Sequence, residues 1–154
     1  MNSLKCTVSG ANIAITGYGR ISKQLSRLFC SLGAKVTIAA RKDGDLALAE
    51  TLGYNTVRIS GENWSKPLAH GYDIIFNTVP HKIFNRDFLL EVDKSTLLVE
   101  LASVPGGFDI PAVHELGSNI CWAPSLPGKY APESAGRLIA DSIIEIISKE
   151  VDGI

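Results

Sequence analysis

The chain has 154 residues, of which 45% are hydrophobic and 20% are charged, and its formal net charge is −1. This length suits one globular domain with a sizeable core, so we expect residues 1–154 to form a single domain without a separate catalytic domain. The nearly balanced charge, without a basic run, argues against binding to nucleic acid. No signal-peptide pattern opens the chain and no apolar run is long enough to span a bilayer, so we expect a cytoplasmic protein.

The first predicted elements form a strand–helix–strand unit. Asn12–Thr16 is a short apolar strand, a helix follows as far as Leu32, and residues 35–41 are a second strand. Apolar residues recur along the helix at helical spacing, which predicts the face that packs on the sheet. These residues are Ile21, Leu25, Leu28, Phe29 and Leu32.

The turn between the first strand and the helix has the glycine spacing of a dinucleotide-binding fingerprint. Gly17 permits a tight turn, and Gly19 leaves the backbone open to a pyrophosphate. Ser22 stands at the third position, where glycine or alanine is usual, and it should hold helix and strand slightly further apart. N–H groups at a helix N-terminus attract an anion. We therefore predict cofactor binding by Gly17, Tyr18, Gly19, Arg20 and Ile21.

The end of the second strand predicts which dinucleotide is bound. Proteins that prefer NAD usually carry Asp or Glu there, but this chain has Arg41 followed by Lys42. A guanidinium and an ammonium can pair with a 2′-phosphate, so the predicted cofactor is NADP(H). The alternative is that both residues belong to an ordinary solvated strand end.

Four further strands alternate with helices along the rest of the chain. The strands are predicted at residues 56–59, 73–77, 96–101 and 119–123, and the helices after Asp43 or Asp45, at residues 85–92, after Asp109 and over residues 135–147. One or two helical turns are predicted at 64–69, with Trp64 as a packing residue. This alternation predicts a doubly wound (Rossmann) parallel α/β sheet of order 3-2-1-4-5-6 with helices on both faces.

The fourth strand lies next to the first in such a sheet, at the point where ligands bind beyond the carboxyl ends of the strands. Asn77, Thr78, Val79 and Pro80 should therefore contact the cofactor. The small residues after the fifth strand, at positions 102–107, form a loop that can approach a nicotinamide or a substrate closely. The cysteines (Cys6, Cys30 and Cys121) and the three histidines are scattered without metal-ligand spacing, so no metal site is predicted.

Four segments resemble the C-terminal domain of the family formed by the A subunits of dipicolinate synthase. They are the turn at 17–20 and residues 73–80, 101–109 and 126–136. The Ala-Ser-x-Pro-Gly-Gly and Leu-Pro-Gly-x-x-Ala-Pro-x-x-Ala-Gly motifs are more specific than the glycine turn, and the similarity runs from Val8 to Ile147.

The resemblance implies an NADP-dependent oxidoreductase subunit of spore-forming bacteria, located in the mother cell. Its substrate would be a small dicarboxylate heterocycle, a 4-hydroxy-tetrahydrodipicolinate precursor of dipicolinate, and its partner the flavoprotein-like B subunit of dipicolinate synthase. By this resemblance Gly17, Gly19, Arg20 and Ile21 bind the pyrophosphate, Arg41 and Lys42 bind the 2′-phosphate, Thr78, Val79 and Pro80 lie along the nicotinamide half, and Ala102 and Ser103 lie beside the ring. The N-terminal domain of the family has no counterpart here, so we expect the isolated chain to be inactive.

Catalytic residues are not assigned by the sequence. His81, Lys82 and Lys129 follow loops at the carboxyl ends of strands and could contact a dicarboxylate or move a proton, but ordinary solvated loop residues are the simpler interpretation. Two other functions stay open. One is an NADP dehydrogenase of the shikimate or methylene-tetrahydrofolate type, and the other is a nucleotide-binding regulatory or assembly module without chemistry. The apolar last helix would then dock on a partner, and a homodimer is one such arrangement.

Overall fold

The protein is built on a six-stranded parallel sheet, seen in a computed structural model that describes residues 7–124. The strands are β1 (Asn12–Thr16), β2 (Lys35–Ala40), β3 (Asn55–Arg58), β4 (Ile74–Asn77), β5 (Leu97–Glu100) and β6 (Ile120–Trp122). They lie in the order β3-β2-β1-β4-β5-β6, and every neighbouring pair is parallel. The predicted doubly wound sheet and its strand order are confirmed.

Helices connect the strands on both faces of the sheet. Within the described residues they are α1 (Arg20–Ser31), α2 (Asp43–Thr51), α3 (Arg86–Glu91) and α4 (Ile110–Leu116), with a 3-10 turn at Lys66–Leu68. The side chain of Asn85 caps α3, and the predicted cap Asp109 accepts from the N–H of Ala112 at 3.5 Å in α4. The predicted acidic cap of α2 is wrong, because its N-cap is Lys42 and no side chain bonds there. Asp43 and Asp45 lie instead in the first helical turn, where carboxylates favour the positive end of the helix dipole.

The central strands are apolar on both faces because helices cover both. All four residues of β4 are buried, and on one side of the sheet Phe76 stacks against Phe29 of α1, with ring centroids 5.1 Å apart. On the other side Phe84 is fully buried between three aromatic rings, one of which is Trp64 at 5.4 Å. The prediction that Trp64 is a packing residue is confirmed.

The predicted sheet-facing side of α1 is wrong for three of its five residues. Ile21, Leu28 and Leu32 are about half exposed, at 52%, 54% and 48%. Ser22 and Ser26 are the fully buried residues of the helix, and Leu25 and Phe29 pack beside them as predicted. Small side chains let the helix lie close to the strands just after the glycine turn, and this close approach rotates the apolar residues outward.

Several predictions fall on residues outside 7–124. These are Lys129, the motif at 126–136 and the last helix at 135–147. Among the described residues no helix has the length and apolar character needed to cross a membrane. In that same part of the chain, no three His, Cys, Asp or Glu side chains gather where they could hold a metal ion.

Candidate functional site

A cavity of about 460 Å³ opens beyond the carboxyl ends of the central strands. Its volume falls within the range of about 300–1,000 Å³ that is usual for ligand pockets. Residues from the ends of β1, β2, β3 and β4 contribute to it, so it lies where the strand order reverses and where ligands of such sheets bind. The lining residues are Gly17, Tyr18, Ala40, Arg41, Lys42, Asp45, Ile59, Val79, His81 and Ile83.

The glycine turn after β1 is held from both neighbouring strands. The N–H of Gly17 donates to the carbonyl oxygen of Ala39 at 2.8 Å, and the hydroxyl of Thr78 donates to the carbonyl oxygen of Thr16 at 2.6 Å. Gly17 has φ +83°, and a Cβ there would lie 2.8 Å from Thr78 Oγ1. Only glycine fits this conformation and this approach, so the strand can turn sharply beneath the cavity.

The start of α1 offers its N–H groups to a ligand. Gly19 is the N-cap residue, no side chain bonds there, and the first turn contains no acidic residue. The first four N–H groups of a helix have no partner within the helix, and with the helix dipole they favour an anion. Arg20, the first helical residue, adds an exposed cation. This arrangement fits a pyrophosphate.

Ser22 takes part in the turn in a way that the sequence did not reveal. Its hydroxyl donates to the carbonyl oxygen of Gly17 at 2.6 Å, and the side chain is fully buried. We expected the hydroxymethyl group only to fit between helix and strand. In the structure it also ties the first turn of α1 to the glycine turn.

The cationic end of the cavity is formed where β2 passes into α2. Arg41 and Lys42 are exposed and both line the cavity. One guanidinium nitrogen of Arg58 donates to the carbonyl oxygen of Arg41 at 3.5 Å, and the other pairs with Asp43, which secures the end of the strand. Asp45 is the acidic residue among those lining the cavity. Two cations thus face one carboxylate, and this charge balance fits a phosphate group beside Arg41.

Tyr18 lies between the two glycines and contributes its ring to the cavity. It is only 6% exposed, and the ammonium of Lys23 lies 5.1 Å from the ring centroid. Burial is the main cause that raises the pKa of the Tyr18 phenol, and Tyr54 and Asp45 add to it. The hydroxyl is therefore uncharged at neutral pH and does not repel a bound phosphate.

The structure brings together five of the predicted cofactor-binding residues: Gly17, Tyr18, Arg41, Lys42 and Val79 line one cavity. Gly19, Arg20 and Ile21 follow directly at the start of α1, while Thr78 packs beneath Gly17 and Pro80 is exposed next to Val79. Asn77 does not line the cavity, because it is fully buried and every polar atom of its side chain is used within the protein. Ala102 is buried and Ser103 is exposed, and both lie further along the sheet beyond β5.

Sequence reasoning missed other residues at this edge of the sheet. Ile59 and Ile83 line the cavity as apolar residues beyond β3 and β4, and Asp45 lines it from α2. His81, which we considered for substrate contact, lines the same cavity. Glu100 is fully buried at the end of β5. An acid within an otherwise apolar strand was the available signal for it, since charged residues are rarely buried without partners.

Comparison with known proteins finds similarity to the A subunit of dipicolinate synthase. The Bacillus subtilis protein is 32% identical over 146 residues, which cover 93% of this chain and 47% of that protein. Its crystal structure matches with a TM-score of 0.83, at 32% identity over 94% of this chain and 48% of that one. The structure of the corresponding protein from Bacillus halodurans matches with a TM-score of 0.81, at 32% identity over 92% of this chain and 48% of that one.

The chain thus spans about half the length of the relatives that it matches. A structure of CAD from Helicobacter pylori complexed with NADP(H) shares the fold, with a TM-score of 0.54 at 17% identity over 75% of this chain and 33% of that one. No model of a known protein family matches the chain. The homology and the shared fold together support a dinucleotide-binding domain.

Proposed function

Because the chain is a homologue of the dipicolinate synthase A subunits over most of its length, we propose that it is the NADP-binding domain of an oxidoreductase of that kind. The observation that carries this proposal is the cavity that Arg41 and Lys42 line together with Gly17, in the turn that leads into the uncapped N-terminus of α1. The full reaction would form dipicolinate from a 4-hydroxy-tetrahydrodipicolinate precursor in the cytoplasm of the mother cell of a spore-forming bacterium. The B subunit of dipicolinate synthase would be the partner.

The phosphate groups of the cofactor match three features of the site. The backbone N–H groups of α1, beginning at Arg20, would hold the pyrophosphate at the positive end of the helix. The guanidinium of Arg41 and the ammonium of Lys42 would pair with the 2′-phosphate. The apolar side chains of Ile59 and Ile83 line the same cavity and would pack against the adenine ring.

The cofactor carries the redox chemistry, so the protein has to orient the cofactor and the substrate. When bound, the nicotinamide would accept the hydride that the substrate gives up as it is oxidised. The loops after β4 and β5 would then orient the ring and exclude water from it. His81 and Lys82 are exposed after β4, and Lys82 lies 3.5 Å from the carboxylate of Asp109. Neither is assigned a catalytic role, and substrate contacts are proposed to come from the part of the protein that this chain does not match.

Calorimetric titration of the chain with NADPH, NADP, NADH and NAD tests the proposal. We expect the phosphorylated pair to bind more tightly, and Arg41→Ala to weaken NADPH binding by about 10- to 100-fold, the loss of a charge-assisted hydrogen bond of about 1.5–3 kcal/mol. Lys66→Ala is the matched control, because Lys66 is exposed on the 3-10 turn away from the cavity. Equal affinity for NAD and NADP would refute the 2′-phosphate site, and no binding of any of the four would refute the proposed function.

The oxidoreductase part of the proposal needs a substrate assay. NADP reduction is followed with the 4-hydroxy-tetrahydrodipicolinate precursor and the B subunit, using the chain joined to the remaining half of a dipicolinate synthase A subunit. We expect reduction that requires the precursor and that needs a higher NADP concentration with Arg41→Ala. Tight NADPH binding combined with no reduction would favour a nucleotide-binding regulatory module instead.

A further inference from the structure

Three buried polar side chains form a chain of hydrogen bonds across the middle of the sheet. Thr16, Asn77 and Glu100 are the last residues of β1, β4 and β5, they are paired in register, and each is fully buried. The hydroxyl of Thr16 donates to Asn77 Oδ1 at 2.7 Å, and Asn77 Nδ2 donates to Glu100 Oε1 at 2.6 Å. The three side chains therefore link three neighbouring strands at their carboxyl ends.

The carboxylate of Glu100 fixes the loop that follows β5. Its Oε1 accepts from the N–H of Ala102 at 2.9 Å, and its Oε2 accepts from the N–H of Gly107 at 2.7 Å. Burying a carboxylate is costly unless donors surround it, and here three N–H groups do so. Both ends of the loop 102–107 are thus hydrogen-bonded to one side chain. This holds in place the loop that carries the exposed residues Ser103 and Val104.

Asn77 connects the loop that follows β4 to the same hydrogen-bond network. Its Nδ2 donates to the carbonyl oxygen of Val79 at 2.9 Å, and its Oδ1 accepts from the N–H of Val79 at 3.1 Å. Val79 lines the cavity. The loop 102–107 packs directly on this amide, since a Cβ on Gly107 would lie 2.3 Å from Asn77 Nδ2. A change at Glu100 therefore reaches both loops.

The position of these loops along the sheet determines which part of a bound dinucleotide they could contact. Arg41 lies at the end of β2, on one side of β1, whereas the loop 102–107 follows β5, on the other side of β1 and past β4. A dinucleotide with its 2′-phosphate at Arg41 and its pyrophosphate at α1 extends over β4 toward β5. Its nicotinamide half would reach the loop that Glu100 holds.

We propose that Glu100 is a positioning residue that holds the loop 102–107 against the nicotinamide half of the bound nucleotide. This inference rests on the proposed function. It adds that recognition of the nicotinamide half depends on a buried carboxylate that touches neither cofactor nor substrate. Glutamine cannot replace it, because both carboxylate oxygens accept hydrogen bonds and an amide NH₂ would face an N–H group.

Two probes that differ only in the nicotinamide test this role. NADPH and 2′-phosphoadenosine 5′-diphosphoribose, which lacks the nicotinamide, are titrated calorimetrically into the wild-type chain and Glu100→Gln. We expect NADPH binding to weaken by about tenfold or more, because the displaced loop would lose contact with the nicotinamide half on the scale of about one hydrogen bond. Binding of the truncated probe stays within about twofold of wild type, a difference well below the loss of one hydrogen bond. Glu91→Gln is the control, an exposed glutamate of α3 given the same chemical change.

The outcomes separate this inference from the proposed function. Equal loss for both probes would show a general structural role, and no loss for either would show that the loop does not meet the nicotinamide half. Both results overturn the inference and leave the nucleotide site intact. If the wild-type chain binds neither probe, the proposed function itself fails and the inference fails with it.

A second variant covers the case in which Glu100→Gln does not fold. The backbone conformation of Gly107 is one that residues with a Cβ can adopt. In Gly107→Ala, however, the added Cβ would clash with the amide of Asn77 and push the loop 102–107 away from Asn77 and Glu100. We expect the same selective loss of NADPH affinity. Unchanged NADPH affinity in a folded Gly107→Ala chain would overturn the inference.

Discussion

Replacing Gly17 by alanine should affect the site through two separable costs. The first is conformational, since φ +83° costs a residue with a Cβ about 1–2 kcal/mol. The second is steric, since the Cβ would lie 2.8 Å from Thr78 Oγ1 and 3.1 Å from Val79 Cγ2. Thr78 cannot easily move away, because its hydroxyl is bonded to the carbonyl oxygen of Thr16 at 2.6 Å. Overpacking of this kind adds about 1–3 kcal/mol.

A matched glycine isolates the steric cost. Gly53 has φ +82° and no atom within 4 Å of the position that an alanine Cβ would take, so Gly53→Ala carries the conformational cost alone. The stabilising effect of alanine on the unfolded chain, about 0.4–1 kcal/mol, is the same in both variants and cancels in the difference. Urea denaturation should therefore show Gly17→Ala to be about 1–3 kcal/mol less stable than Gly53→Ala.

Two further measurements sharpen the result. Gly17→Ala should cost less in a Thr78→Ala background, because the nearest atom is then removed. NADPH binding should weaken in Gly17→Ala but not in Gly53→Ala, since only the first glycine lines the cavity. Equal loss of stability in the two single variants, with equal NADPH affinity, would refute the argument that close approach to Thr78 requires glycine at this turn.

Three other substitutions test the packing and the charge interactions of the fold. Ser22→Ala removes the buried hydroxyl that donates to the carbonyl oxygen of Gly17, so urea denaturation should show a loss of about 1–3 kcal/mol, whereas the exposed Ser31→Ala should show almost none. Phe84→Ala empties a fully buried site between aromatic rings and should cost about 3–5 kcal/mol in the same assay. Hydrogen bonding to Arg86 lowers the pKa of Glu115 from its ordinary value of 4.5. The pair therefore stabilises the fold at pH values above 4.5, and this stabilisation is lost as the pH falls through the lowered pKa. Wild type should therefore exceed Glu115→Gln in stability at neutral pH, and the two should converge in acid. An unchanged difference in acid would contradict that linkage.

The strand order was predictable because few other arrangements of the strands would bury the apolar segments of this sequence. The first three residues of β4 (Ile74–Asn77) are a continuous apolar run, which must be covered on both faces, and the connections between strands are long enough for helices. The glycine turn then identifies β1 as the strand at the switch point. Together these features predict the cavity edge, to which Arg41 and Val79 both contribute.

The packing face of α1 was not predictable from hydrophobic periodicity. Periodicity assumes that the most apolar stripe is buried, but Leu28 is 54% exposed while Ser26 is buried. The distance between helix and sheet decides which side chains fit beneath the helix, and a close approach favours serine. That distance depends on the tertiary structure and not on the sequence of the helix alone.

The buried network at Glu100 was also beyond sequence reasoning. Two of its three donors are backbone N–H groups, at Ala102 and Gly107, and the path of their loop decides whether they reach the carboxylate. The third donor, Asn77, was predicted to contact the cofactor because of its place at the carboxyl end of β4. Its burial follows from the loop that packs on top of it, which the sequence indicated only as a run of small residues.

Binding of NADP(H) at the edge around Gly17 and Arg41 can be followed through backbone amide signals in NMR spectra as NADPH is added to the chain. We expect saturable shifts at residues 17–22, at 41–42 and at 78–79, with those at 41–42 much smaller when NADH replaces NADPH. Shifts confined to other residues, or no shifts at all, would contradict it.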